Sequence, residues 1–401
     1  MQTGNSNHVY YSGIGIRKFL LGNCNINQII NLKGYSFESA NVETVILLAN
    51  KSNITCDNSL EIFLNNGSEF YFSHSRNQKD FSQNEGFEFK VFLDHESDSL
   101  SLKLSLNSNI LDDVVQIKAG LQAYEKDKGE PKQSAEDVIA RPYDYNHKFD
   151  DNTYKYLDGK DVKRYLISWS GLYLKYGKHL AAPRTFNLFE GRKIIVREIT
   201  GVFPRCLIST YSEETYLYNR SNIAIIEKEN SDISLKYIIA LLNSTLISYY
   251  FIKNTAKSVR KLFPKIILND LRKFPMKRIT PLEQQPFIEK ADIMLSHNKE
   301  LQETSQKFQR NIQREYNLEK LSTKLDNWFQ ITFAVFLKEL EKSKVKLTLS
   351  QKAEWEDYFL QESKKALAIK HQIDTTDKEI DQMVYALYGL TEEEIKIVEG
   401  E

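Results

Sequence analysis

The sequence predicts an α/β N-terminal part, a mixed α+β middle and an α-helical C-terminal region. Three observations predict it. Over residues 16–105, strand-length apolar runs alternate with Asn/Gly/Ser/Asp breaks, and VETVILLANK is the strongest of them. Over residues 141–280, short strand-like words mix with one long apolar helical word. From residue 282 onward, apolar residues recur every three or four positions with polar residues between.

Taken in order, IRKFLLGN reads as a short amphipathic helix and INQIINLKGY as a short apolar strand. VETVILLANK is apolar enough to be a strand buried on both faces of a sheet. LEIFLN, EFYFSH, EFKVFL and LSLKLSL alternate or cluster like further strands. LDDVVQIKAGLQAY carries a strand and a glycine, and EKDKGEPKQSAED is a charged, turn-rich loop. RKIIVREI, CLIST and NIAIIEK are short strands. LKYIIALLNSTLISYYFIKN reads as one helix with Tyr237, Leu241, Leu242, Ile247, Tyr250 and Phe251 near one side, followed by the basic SVRKLFPKI. Phe287, Ala291, Met294, Leu301, Phe308 and Ile312 then mark a helical hairpin arm or coiled-coil segment, with helix continuing over 331–370. EIDQMVYALYGL is a helix stopped at Gly389, and Thr391 with Glu394 forms a capping box for a last short helix. These readings place three regions at 1–110, 111–280 and 281–401.

At 401 residues, 41% hydrophobic and 27% charged, the chain is globular and long enough for two or three domains. Its net charge is zero, but that average hides an asymmetry. From Arg141 to Arg278 there are 25 Lys and Arg against 13 Asp and Glu, a net of +12, and each flank carries −6. A basic middle between acidic flanks is the footprint of a local polyanion site. Cys24, Cys56 and Cys206 form no CxxC pair, which excludes a disulfide scaffold or a Cys-built zinc site and fits a reducing cytoplasm. The seven histidines show no metal-ligand spacing. No apolar run approaches the ~20 residues that span a bilayer. The polar start MQTGNSNHVYYSG is not a signal peptide and does not read as a natural domain beginning.

Within the basic middle, YKYLDGKDVKRYLISWSGLYLKYGKHLAAPRTFNLFEGRKIIVRE interleaves aromatic and basic residues with few acids. Rings stack on bases or pack a core; cations neutralise phosphates or fork onto guanine. Three clusters are candidate nucleic-acid contacts. Lys175, Tyr176, Lys178 and Arg184 fall on a predicted loop with Gly171 and Gly177. Arg192, Lys193 and Arg197 flank a strand, with Arg197 the member turned inward. Lys253, Lys257, Arg260 and Lys261 follow the apolar helix. Loop arginines suit base reading and lysines suit phosphates; the competing reading of each is a solvated surface charge. Trp169 reads as core, and Asp158 and Asp161 as turn and helix-start residues rather than catalytic acids. GIGIRK at Gly13–Lys18 begins like a dinucleotide loop but lacks the third glycine and a preceding strand. No GxxxxGK[ST], GxSxG or nuclease-type acidic set occurs.

Two stretches resemble a known family. LLGNCNINQIINLKGYSFESANVETVILLANK resembles the later part of an N-6 adenine DNA methyltransferase domain, around the segment called motif VIII. Phe37 stands where that family places an aromatic residue that stacks on the flipped-out adenine, and a flat apolar surface is what an extruded base needs. The competing reading makes Phe37 a core residue beside a strand. GLQAYEKDKGEP, YLDGKDVKRYLISWSGLYLKYGKHLAAPR, RKIIVREI, LLNSTLISYYF and FPKIILNDLRKFPM resemble, in order, the target-recognition domain of Taq-type methyltransferases. The likeness is greatest to type IIG restriction–modification enzymes, whose end IDTTDKEIDQMVYALYGLTEEE also resembles. The resemblance implies that residues 1–110 are the C-terminal portion of a Rossmann-like methyltransferase domain. It implies sequence-specific recognition of double-stranded DNA for adenine methylation in a restriction–modification system. All eight prolines are isolated, so the family's (D/N/S)PP(Y/F) tetrapeptide is not in this sequence. No catalytic residue is therefore assigned. S-adenosylmethionine belongs to the full-length enzyme, not to this chain, and an upstream methyltransferase region is expected in cis or as a partner chain. A free-standing DNA-specificity subunit and a helical scaffold that binds protein are the alternatives.

Overall fold

The computed structural model describes residues 13–37, 40–52, 57–65, 69–91, 93–106, 108–229, 231–255 and 264–400. Helix α1 (Ile14–Asn23) leads into strands β1 (Asn25–Phe37), β2 (Ala40–Asn50), β3 (Ser59–Asn65) and β4 (Phe70–Asn77). They form one sheet in the order β2-β1-β3-β4. Leu21, Ile26, Ile29, Leu60, Ile62 and Phe81 make its small core. Buried Gln78 stitches it: its side chain accepts from Ile26 N (2.8 Å) and donates to the Cys24 carbonyl (2.8 Å). Both backbone groups would otherwise be unpaired where α1 gives way to β1.

Several expectations change here. VETVILLANK lies in β2, at the edge of the sheet, with Ile46 43% and Leu48 47% exposed. It is not buried on both faces; an apolar run reports a strand, not its rank in the sheet. LSLKLSL belongs to helix α2 (His95–Leu106), not to a strand. Its leucines serve either period, but Leu100 and Leu104 lie one turn apart and both bury. Asp94 accepts from Ser97 N (2.7 Å) and starts the helix. EFKVFL is irregular at its described positions. Among the described residues the only parallel pair in this sheet is β1 with β3, and the described chain between them runs through β2 rather than a crossover helix. The sheet thus lacks the βαβ unit of a Rossmann-like fold among the described residues.

The middle contains β5 (Asn109–Ile110), β6 (Val115–Ala119), β7 (Asp144–Tyr145), β8 (Thr153–Leu157), β9 (Val162–Lys163), β10 (Leu166–Ile167), β11 (Tyr173–Lys175), β12 (Lys193–Arg197), β13 (Ser209–Ser212), β14 (Leu217–Tyr218), β15 (Asn222–Glu227) and β16 (Pro275–Met276). Two four-stranded sheets dominate, β14-β8-β11-β7 and β13-β12-β15-β6. The second is a partition between two cores. Ile194, Val196, Ile223 and Ile225 face the helices, while Ile195 and Ala224 face the first sheet. That two-sided burial is why KIIV and NIAI read as unbroken apolar words.

The single helix expected over LKYIIALLNSTLISYYFIKN is two, α3 (Leu235–Leu242) and α4 (Thr245–Asn254), bent by 64°. Asn243 ends the first, its Oδ1 taken by Ser209 N (3.2 Å) and Oγ (2.9 Å). Ser244 caps the second by accepting from Ile247 N (3.3 Å). Among the described residues no single helix is long and apolar enough to cross a membrane, and this bent pair is buried.

The C-terminal helices are α5 (Pro281–Tyr316), α6 (Phe333–Lys342), α7 (Leu349–Tyr388) and α8 (Glu392–Glu399). The arm is formed by α5 and α7 packing along each other; the long helix expected over 282–330 ends at Tyr316, and residues 343–348 interrupt the helix expected over 331–370. Phe287, Ala291 and Met294 join Ile373, Ile380 and Val384 in the core under the second sheet. At the far end Phe308, Trp328, Phe336 and Phe359 build a separate aromatic core, with Phe308 stacked on Trp328 at 3.6 Å. Gly389 ends α7 at φ +66°, and the Thr391–Glu394 capping box starts α8. The root of α7 is ion-paired to the middle region. Asp377 receives both Nη groups of Arg164 (2.9 and 2.7 Å), and Asp381, one turn later, receives both of Arg205 (3.1 and 2.7 Å). Asp381 also accepts from Thr245 N and Oγ1, each at 2.8 Å.

Candidate nucleic-acid interface

Many of the middle's cations already have carboxylate partners within the fold. Arg164 and Arg205 hold the arm. Lys155 pairs with Glu214 at 3.2 Å, Lys265 with Glu198 at 3.4 Å and Lys236 with Asp292 at 2.6 Å. Exposed pairs of this kind contribute little stability, but they remove cations from the polyanion site.

The sequence candidates separate accordingly. Lys175 is tied to Asp150 at 2.7 Å and lies over the Phe149 ring, and this bond holds the Asp150 carboxyl below its usual range. Tyr176 packs its ring on Phe186 and donates its hydroxyl to the Arg184 carbonyl (2.7 Å), so it is a brace. Arg192 pairs with Glu227 at 3.0 Å, and Lys253 lies 3.6 Å from Asp94. Lys178 and Arg184 are exposed, and Arg197 is half-buried, at the end of β12. Lys257, Arg260 and Lys261 lie outside the described residues. Phe37 ends β1 opposite Ala40; its side chain lies outside the described set. Trp169, expected as core, is partly buried and packs against the inner core, its Nε1 donating to the Leu172 carbonyl (2.8 Å). Asp158 and Asp161 cap the 159–161 turn, with Asp161 accepting from Asp158 N (2.9 Å).

Lys193 is a correction. It is fully buried, and its ammonium donates to the carbonyls of Gly191 (2.9 Å) and Glu214 (2.7 Å), so it cannot reach DNA. Strand alternation puts it on the face of Ile195, toward the inner core. Burial pulls its pKa down to about 8 from 10.5, against the raising fields of Glu190 and Glu214. A lysine whose folded pKa is depressed costs stability while both states are protonated. That cost is relieved as pH rises from 8, because the unfolded chain then binds more protons. Cys206, pushed up from 9.0 to about 11 by burial, acts in the opposite sense above pH 9. Between about pH 8 and 9, unfolding free energy should therefore rise in the native chain relative to Lys193→Met, by at most about 1.4 kcal/mol per unit. Denaturant midpoints across that window check it; parallel profiles would show that Lys193 is not the source.

Four further cations lie around one turn. Asn219, Arg220 and Ser221 connect β14 to β15. Asn219 Nδ2 donates to Asp158 Oδ1 (2.8 Å), and Glu198 N donates to the Ser221 carbonyl (2.8 Å). Gly159 lies against Ser221 and the Arg197 side chain. On the other side Gly120 N donates to the Asn222 carbonyl (3.0 Å), and the Gly120 carbonyl accepts from Arg184 Nε (3.2 Å). Lys160, Arg184, Arg197 and Arg220 are thus drawn together from four separate segments. None of the four makes an ion pair with a carboxylate among the described residues. Lys160 and Arg220 escaped the sequence reading; the signal for Arg220 was the polar turn NRSN between two apolar words.

Comparison with known proteins falls on the same segment. Residues 154–276 match the model of the TaqI-like C-terminal specificity domain. The middle of this chain is thus similar to a TaqI-like specificity domain. Residues 280–384, the arm, match a domain of unknown function (DUF8810). Over 142 residues the chain is 28% identical to the protein named "Putative type II restriction enzyme and methyltransferase RM.MjaORFECS2P" of Methanocaldococcus jannaschii, covering 35% of this chain and 12% of that protein. Among solved structures, the type IIL restriction–modification enzyme MmeI in complex with DNA aligns at TM-score 0.44 and 9% identity, over 94% of this chain and 45% of MmeI. The type IIG restriction endonuclease BpuSI aligns at TM-score 0.32 and 10% identity, over 96% and 46%. The chain spans less than half of either enzyme. The specificity domain holds Lys160, Arg184, Arg197 and Arg220 together, and the resemblance drawn from the sequence is met there.

Proposed function

We propose that this chain recognises double-stranded DNA in a sequence-specific manner, as the specificity portion of a site-specific N-6 adenine methyltransferase of a restriction–modification system. The observation that supports this most is the convergence on one turn of the specificity domain of four cations that make no ion pair among the described residues. Self-contained folds pair or solvate such charges singly; four gathered from distant segments suit a polyanion. In this reading residues 1–110 are the C-terminal portion of the methyltransferase domain, 111–280 read the target, and 281–401 form the arm. Phe37 stacks on the extruded adenine. The residues described here do not fit a donor cofactor: Gly13 precedes α1, and Gly15 and Gly22 lie within it rather than in a loop that follows a strand. S-adenosylmethionine and the group that holds the acceptor amine belong to an upstream methyltransferase region, in cis or in a partner chain.

Salt dependence tests the proposal. With about four to six phosphates neutralised, log K against log salt should fall with a slope of roughly −4 to −5. A slope near zero, or no duplex binding, would favour the scaffold reading, in which the basic residues are merely solvated.

A further inference from the structure

We infer that Arg184 is a pre-set reader of a guanine in duplex DNA, and that Tyr176 and Gly120 are its positioning residues. The inference rests on the DNA-recognition reading above. Arg184 has φ +64°, the left-handed region that a residue with a Cβ enters at a cost. Strained backbone persists where the surroundings hold it, and it gathers at ligand clamps. Here two contacts hold it. The Tyr176 hydroxyl donates to the Arg184 carbonyl (2.7 Å), which fixes the main chain. Arg184 Nε donates to the Gly120 carbonyl (3.2 Å), which fixes the side chain close to its head.

That second contact decides what the side chain can do. With Nε occupied, the guanidinium keeps its two terminal Nη groups, a planar fork with no carboxylate beside it. Such a fork matches guanine O6 and N7 in the major groove. Rotamer freedom that binding would otherwise remove is already lost in the free protein. Gly120 is required for this placement. A Cβ there would collide with the carbonyl oxygens of Asn219 and Tyr218, so only glycine lets this strand end lie against the 219–221 turn and aim its carbonyl at Arg184. Arg220, in that turn, is exposed and unanchored, and suits a phosphate instead.

The test selects a preferred duplex from a random pool with the full chain. Affinity is then measured by fluorescence anisotropy for that duplex, for single-pair replacements, and for 7-deazaguanine at each guanine. One guanine should emerge at which replacement, or loss of N7 alone, weakens native binding about ten- to a hundredfold. Arg184→Lys keeps the charge and loses the fork; it should abolish that discrimination while mixed-sequence binding stays within about twofold. Gly120→Ala and Tyr176→Phe should lower the discrimination in the same direction. Arg220→Ala should weaken all duplexes alike. Melting temperatures show that each variant is folded, and Arg184→Asn, which tolerates left-handed backbone, replaces Arg184→Lys if that variant is not. A guanine preference unchanged in the Arg184 variant, or a selected site with no N7-dependent guanine, overturns the inference and leaves DNA recognition standing. Failure of the native chain to bind any duplex overturns both.

Discussion

Asp381→Ala is expected to destabilise the folded chain by about 3–5 kcal/mol, the usual cost of removing one partner from a buried ion pair. Asp381 is 5% exposed, and four donors converge on its two oxygens: both Nη groups of Arg205, and the backbone N and hydroxyl of Thr245. Deleting the carboxylate strands the first N–H of α4 and leaves Arg205 with the Thr245 hydroxyl and with Asp377, which is already bidentate with Arg164. Urea midpoints for the native chain and the variant measure the loss. Because most of the cost is the stranded charge, a paired replacement, Arg205→Met with Asp381→Leu, should recover a large part of it. A loss below about 1 kcal/mol for the single substitution would mean that water reaches this cluster and the arm's root is held by apolar contact alone.

Trp328→Ala should cost a similar amount, about 3–5 kcal/mol, but locally. Trp328 is fully buried, stacked on Phe308, and its Nε1 donates to Ser305 Oγ (3.1 Å). Its core at the arm's tip shares only the partly buried Leu301 with the core under the second sheet. The loss should therefore appear as faster hydrogen exchange over residues 301–366, with the specificity domain's protection and duplex affinity unchanged. Trp328→Phe should be milder, since a ring still fills most of the space. Loss of protection spreading into β12 and β15 would show instead that tip and sheets unfold as one unit.

How much of this was legible in the sequence depends on whether the cause is local. Capping boxes and three-to-four spacing are local, so the arm, the stop at Gly389 and the start at Thr391 could be read directly. Strand words such as RKIIVREI were readable because burial on both faces leaves no polar alternation to confuse them. LSLKLSL was not, because its leucines satisfy a period of two and a spacing of four equally well. The break at Asn243 was hidden because its cause, Ser209, lies 34 positions away. The same limit governs the site. Loop cations such as Lys178 and Arg184 announce themselves, but which cations are neutralised does not: the acid that claims Arg164 stands 213 positions later. Lys193 could have been placed by alternation with Ile195, and its basic neighbours drew it into the wrong group.

The separation of the two cores along α5 and α7 makes the arm a cantilever. From residue 296, beyond Met294, to the end of α5 at Tyr316, the rod extends about 30 Å at 1.5 Å per residue. Its root is held by the Asp377–Asp381 clamp and by the apolar core under the second sheet. A rocking of about 5° at that root would sweep the aromatic tip through roughly 3 Å over such a length. Small slack at the root thus becomes side-chain-sized travel at the far end, and it is resisted by the Arg164 and Arg205 salt bridges together with the apolar packing of Phe287, Ala291 and Met294 on Ile373, Ile380 and Val384.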